Sequence, residues 1–293
     1  VERELNLFQY EYMQLALVSA LIIGLTAPAL GIYLVQRRLA LIGDGIGHVA
    51  LTGVGAGLLF QTSPVIMAVI AATIGAVAIE LIRERGRTSG DLALALLFYG
   101  GIAGGVVLVG LSDSTSSNLN AYLFGALSTA SRTDVATIAV LGTAVLIAMI
   151  GLRPALFAVC HDEEYARVSG LPVRTLNLLL AVTTAITVTI AMRAVGVLLI
   201  SALMVVPVAT AQQVTRGFRS TMAAAMALGL FAGGAGIWMA AVADTAPGAS
   251  VVVLAIASFV VVTLLAAGWR RLRRARPQPA PAPEPHEVVL GGS

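Results

Sequence analysis

Residues 12–60 read YMQLALVSALIIGLTAPALGIYLVQRRLALIGDGIGHVALTGVGAGLLF. No charged side chain occurs from Tyr12 to Val35. At about 1.5 Å per residue, a helix of that length exceeds the ~30 Å hydrocarbon core of a bilayer. Arg37 and Arg38 end the run, and a second apolar stretch returns from 40 to 60. Two such stretches joined by a short basic turn predict a transmembrane hairpin, because a backbone in lipid must satisfy its own polar groups.

The pattern repeats along the chain. Apolar runs fall at 12–35, 40–60, 64–82, 92–111, 135–152, 176–194, 196–214, 221–243 and 248–269. Only Arg193 and Gly196 interrupt the region 176–214, where a short or broken hairpin is expected. The expected fold is therefore all-α, a polytopic integral membrane protein with about eight to nine transmembrane helices. Composition agrees: of 293 residues 58% are hydrophobic and 11% charged, against roughly 25% charged in soluble domains, and the mean hydropathy is +0.93.

All 18 basic residues are Arg. The absence of Lys excludes a P-loop nucleotide site and Schiff-base chemistry on this chain. Cytoplasmic loops are enriched in basic residues, and an N-out, C-in orientation puts all of them inside except Arg3, Arg132 and Arg193. Residues 1–11, with Glu2, Glu4 and Glu11, lack the basic start of a signal peptide, so the first apolar run is expected to stay in the mature protein. The expected organisation is an outer segment 1–11, a transmembrane domain 12–269, and a cytoplasmic tail 270–293. That tail is basic and then Pro-rich, expected to be disordered, with its Arg residues against anionic headgroups. Cys160 is the only cysteine, which rules out an internal disulfide and a cysteine zinc cluster.

Within the second run, Asp44 and His48 stand four residues apart in an otherwise apolar segment. That spacing puts both on one helix face. Intramembrane acids are costly and usually face a bundle interior or an ion path, and a carboxylate with an imidazole suits a borderline divalent metal. The alternative is that His48 bonds a neighbouring helix while Asp44 is a helix-start acid at the interface. Pro207 frees a backbone carbonyl in the seventh run, a candidate gating point. Residues 113–134 read as an outer loop leading into a short helix or re-entrant piece. In the inner loop 153–175, Asp162, Glu163 and Glu164 precede Ala166, Arg167 and Val168, with Gly170 and Pro172 beyond. This predicts a short surface helix, either a charged connector or a docking helix for a soluble partner. No His spacing matches a metalloprotease, and nothing in the sequence places Ser201 beside His48 for a hydrolase.

The stretch LIGDGIGHVALTGVG (41–55) and the long block DEEYARVSGLPVRTLNLLLAVTTAITVTIAMRAVGVLLISALMVVPVATA (162–211) resemble the membrane permeases of ABC importers for zinc and manganese. The resemblance covers nearly all of 12–269. It implies a multi-pass permease of the bacterial plasma membrane, working as a homodimer with two cytosolic ATPase subunits and receiving metal from an extracytoplasmic binding protein. It implies no permanently bound cofactor and no nucleic-acid partner, with Zn²⁺ or Mn²⁺ as cargo and ATP on the partner subunit. Asp44 and His48 match the Asp and His of the family's S-D-x-x-S-H helix, while Gly43 and Gly47 replace its serines. The stretch NLNAYLFGAL (118–127) is similar to an outer-side segment of the family, which makes Asn118 a further metal-site candidate. Asp162, Glu163, Glu164, Ala166 and Gly170 fall in the family's ATPase-coupling region. Two other readings stay open: a proton-coupled secondary transporter with Asp44 and His48 as a relay, and an ABC permease for a metal chelate.

Overall fold

The computed structural model describes residues 10–84, 90–112, 123, 125, 131–192 and 196–274. Among them every regular element is a helix: α1 (Glu11–Gln36), α2 (Ile42–Leu59), α3 (Pro64–Glu84), α4 (Gly90–Leu111), α5 (Arg132–Gly151), α6 (Arg153–His161), α7 (Glu163–Val168), α8 (Val173–Met192), α9 (Val197–Gln212), α10 (Phe218–Ala243) and α11 (Pro247–Arg274). Eight are long and apolar enough to cross a membrane, and α9 is a shorter apolar helix. The broken hairpin expected at 176–214 is thus α8 and α9, meeting near Gly196, whose φ of 92° suits glycine.

The charges join the helix ends in an alternating order. Arg37, just beyond α1, pairs with Glu163 of α7 at 3.4 Å and donates to Asn177 Oδ1 of α8 at 2.8 Å. Arg174 at the start of α8 pairs with Glu84 at the end of α3 at 3.2 Å. Glu11 and Arg132 join the starts of α1 and α5 at the opposite end of the bundle.

Helices α1, α2 and α8 form the centre, while α4, α5 and α11 turn most of their surface outward. Lipid is as apolar as leucine, so burial alone does not drive helices together in a bilayer; close packing does. The centre accordingly has backbone against backbone. A Cβ at Gly24 of α1 would lie 2.5 Å from the Gly229 carbonyl oxygen of α10, and one at Gly31 would fall on the Met204 carbonyl of α9. The Tyr33 hydroxyl, fully buried, donates to the Met149 carbonyl of α5 at 2.6 Å. Helix α8 buries four threonines, Thr183, Thr184, Thr187 and Thr189, each donating to a carbonyl one turn back.

The structure differs from the sequence reading at two places. The inner loop 153–175 holds two helices, because Arg153–His161 forms α6 with Pro154 in its first turn. The last apolar span ends at Trp269, but its helix continues into the basic segment as far as Arg274, because arginine is a good helix former and suits a helix C-terminus.

Candidate functional site

Asp44 lies in the first turn of α2, where the helix dipole favours an acid; the helix has no side-chain cap at Leu41. His48 follows one turn later, only 6% exposed. Its Nδ1 is closed off from solvent and has no hydrogen-bond partner among the described residues, and its ring packs edge-on to Phe98 of α4 with centroids 4.4 Å apart. Asp44 is partly exposed and close enough to act electrostatically on His48. A buried polar atom without a partner requires an explanation, and coordinating a cation beside a carboxylate supplies one.

The neighbours of α2 define which way the pair faces. A Cβ at Gly43 would come 2.9 Å from Ser201 Oγ, and one at Gly47 would come 3.0 Å from Val197 Cγ1, both on α9. On the other side, a Cβ at Gly45 would meet Leu94 Cδ1 of α4 at 2.8 Å, and Thr52 donates to the Gly101 carbonyl of α4 at 2.7 Å. With successive residues about 100° apart, Asp44 and His48 project between α9 and α4. Ser201, which the sequence could not relate to His48, therefore borders the same helix face.

At the inner end, Asp162 caps α7, its Oδ1 accepting from the Tyr165 amide at 2.9 Å. Glu163 bridges Arg37 and Arg167, at 3.4 and 3.3 Å. Gly170, with φ of 82°, ends the helix: its amide donates to the Arg167 carbonyl, and the Leu171 amide donates to the Ala166 carbonyl, both at 3.1 Å. These are the two bonds of a Schellman motif. Ala166 is fully buried and anchors α7, whereas Tyr165 and Val168 are 67% and 89% exposed. The sequence reading places Val168 on this helix without giving it a role and does not single out Tyr165, although a valine on so charged a helix is a usable signal. A cavity of about 540 Å³ lies beside α7, lined by Glu80, Glu84, Glu163, Arg167, Arg174 and Asn177 among others. Nearby, burial pushes the Cys160 thiol up to about 11, opposed only in part by Arg37 and Arg83.

Pro207, another sequence candidate, is buried inside α9; on α3, Glu80 pairs with Arg83 at 2.9 Å. Asn118 and most of the outer loop lie outside the described residues. Among the described residues no third His, Cys, Asp or Glu joins Asp44 and His48.

Comparison with known proteins identifies the family of the chain. Residues 9–266 match the ABC 3 transport family. The chain is 32% identical over 254 residues to the manganese transport system membrane protein MntC of Halalkalibacterium halodurans, covering 87% of each. It is 31% identical over 251 residues to the high-affinity zinc uptake system membrane protein ZnuB of Haemophilus influenzae, covering 86% of this chain and 96% of that one. The solved structure of PsaBC from Streptococcus pneumoniae in complex with Fab superposes with a TM-score of 0.82 at 28% identity, covering 92% of this chain and 97% of that one. The chain belongs to the ABC 3 transport family, as a multi-pass membrane permease.

Proposed function

We propose that this permease passes Zn²⁺ or Mn²⁺ into the cytoplasm by alternating access, with Asp44 and His48 lining the ion path and ATP hydrolysed on a partner subunit. The observation that supports it best is the unpartnered Nδ1 of His48, buried one turn from a carboxylate in the centre of the bundle. The relatives named for manganese and zinc transport point to the same cargo. Two protein ligands on one helix suit transport, because a closed four-ligand site would hold zinc too tightly to release it. Metal binding requires a neutral imidazole, so uptake weakens as acid protonates His48. Asn118 on the outer side is a further ligand candidate by resemblance. The working unit is a homodimer with two cytosolic ATPase subunits, loaded by an extracytoplasmic metal-binding protein.

The basic end of the bundle faces the cytoplasm in this reading, and α7 with its Gly170 turn receives the ATPase. Movement there reaches α1 through the Arg37–Glu163 pair, and the helix containing Pro207 shifts against α2. In proteoliposomes containing the permease and its ATPase, Asp44→Asn and His48→Ala are expected to abolish ATP-dependent metal uptake while both variants insert normally. Wild-type uptake by both would remove the pair from the path. A proton-coupled transporter would instead move metal without any ATPase, and a chelate permease would move complexed iron in preference to the bare ion.

A further inference from the structure

Ser201 is the exception among the buried hydroxyls. Every other buried Ser or Thr among the described residues has a hydrogen-bond partner, usually the carbonyl one turn back in its own helix, as at Thr183, Thr187 and Thr210. Ser201 is 7% exposed, its Oγ is closed off from solvent, and among the described residues it has no hydrogen-bond partner. The hydroxyl has turned from α9 toward α2, where it occupies the space beside Gly43 that a side chain at position 43 would need. The next residue is Asp44. Among the described residues four buried side-chain polar atoms are left without a partner, and two of them, Ser201 Oγ and His48 Nδ1, border this one helix segment. Leaving such an atom unpaired is unfavourable, a cost that a second conformation or a ligand can remove.

We propose that Ser201 is a positioning residue of the ion path: when an ion occupies Asp44 and His48, its hydroxyl donates to the Asp44 carboxylate and fixes the liganding oxygen. The inference rests on the reading of Asp44 and His48 as ion ligands. A hydroxyl donor to a carboxylate forms a charge-assisted bond, and such supporting groups typically change metal affinity 10- to 100-fold. Gly43 is what admits the hydroxyl to this position. Pro207, six residues further along α9, cannot donate to the Leu203 carbonyl, which gives α9 freedom to close on α2.

The test measures equilibrium binding of Mn²⁺ and Zn²⁺ to the full chain assembled with its ATPase, together with uptake kinetics and thermal stability. Ser201→Ala is expected to weaken metal binding and raise the half-saturating concentration about tenfold, with maximal uptake rate unchanged and Tm no lower than that of the parent chain. The double variant Gly43→Ser with Ser201→Ala returns a hydroxyl to the same interface from the other helix. Without Oγ, the nearest Ser201 atom to a Cβ at 43 is its own Cβ at 3.6 Å, an ordinary contact, so binding is expected to recover. Wild-type affinity in Ser201→Ala, while Asp44→Asn binds nothing, would overturn the role of Ser201 and leave the ion path standing. A loss of Tm and maximal rate without a change in affinity would overturn it too, as a packing effect. Wild-type affinity in Asp44→Asn would overturn the ion path itself.

Discussion

At the scale of single residues, the site and its surroundings differ in how far the sequence reveals them. Asp44 and His48 are visible because a carboxylate and an imidazole four residues apart contradict their apolar context, and that contradiction needs no partner helix. Ser201, Phe98 and Gly101 are invisible for the opposite reason. Each is ordinary in its own helix and acquires meaning only where α9 and α4 meet α2. Cys160 is a similar case, since its raised pKa arises from packing in α6. With a thiol near 11, only the small thiolate fraction reacts below that value. Alkylation of Cys160 by a maleimide is expected to be slow at pH 7.5 and to accelerate about tenfold per pH unit up to about 10. A rate that levels off near pH 9 would mean that the thiol is not shielded.

At the scale of elements, the long helices were legible from apolar length, since lipid leaves the backbone few choices. Helix α6 was not, because its residues Arg153–His161 mix charge with apolar side chains over a span too short for periodicity to separate helix from loop. The α7 turn was legible through its acids, Gly170 and Pro172. Its mechanics are testable at Gly170, where nothing lies within 4 Å of an added Cβ and the cost of a side chain comes from the backbone alone. Gly170→Ala is expected to cost about 1–2 kcal/mol at this left-handed position and to reduce coupled uptake more than metal binding. Glu163 is engaged by Arg37 and Arg167, so docking is better tested on the open face of α7. Val168→Asp with Glu164→Arg should lower retention of the ATPase on detergent pull-down at unchanged Tm, and full retention would move the docking surface elsewhere. In the bundle centre, Gly31→Ala drives a methyl onto the Met204 carbonyl. A loss of about 1–3 kcal/mol follows from overpacking, read as a lower Tm in detergent.

At the scale of the whole molecule, α9 decides the topology. It is short, about 24 Å at the usual rise, and without it the crossings would be even and both termini would share a side. The packing argues that it crosses. Helix α8 starts at the end of the bundle where Arg174 meets Glu84, so its last residue lies at the far end. Helix α10 starts back at the near end, where Phe218 packs on Phe157 of α6 at 4.9 Å and on Tyr33 at 5.3 Å. The chain between them must traverse the bundle, and only α9 is there to do so. Nine crossings with the basic end inside then require Thr62, in the turn between α2 and α3, to face outward and Val214, just after α9, to face the cytoplasm. Both are exposed. In a Cys160→Ala background, Thr62→Cys is expected to react with a membrane-impermeant maleimide on intact cells, and Val214→Cys only after permeabilisation. The reverse pattern would invert the orientation drawn from the arginines, and outward labelling at both positions would mean that α9 turns back without crossing.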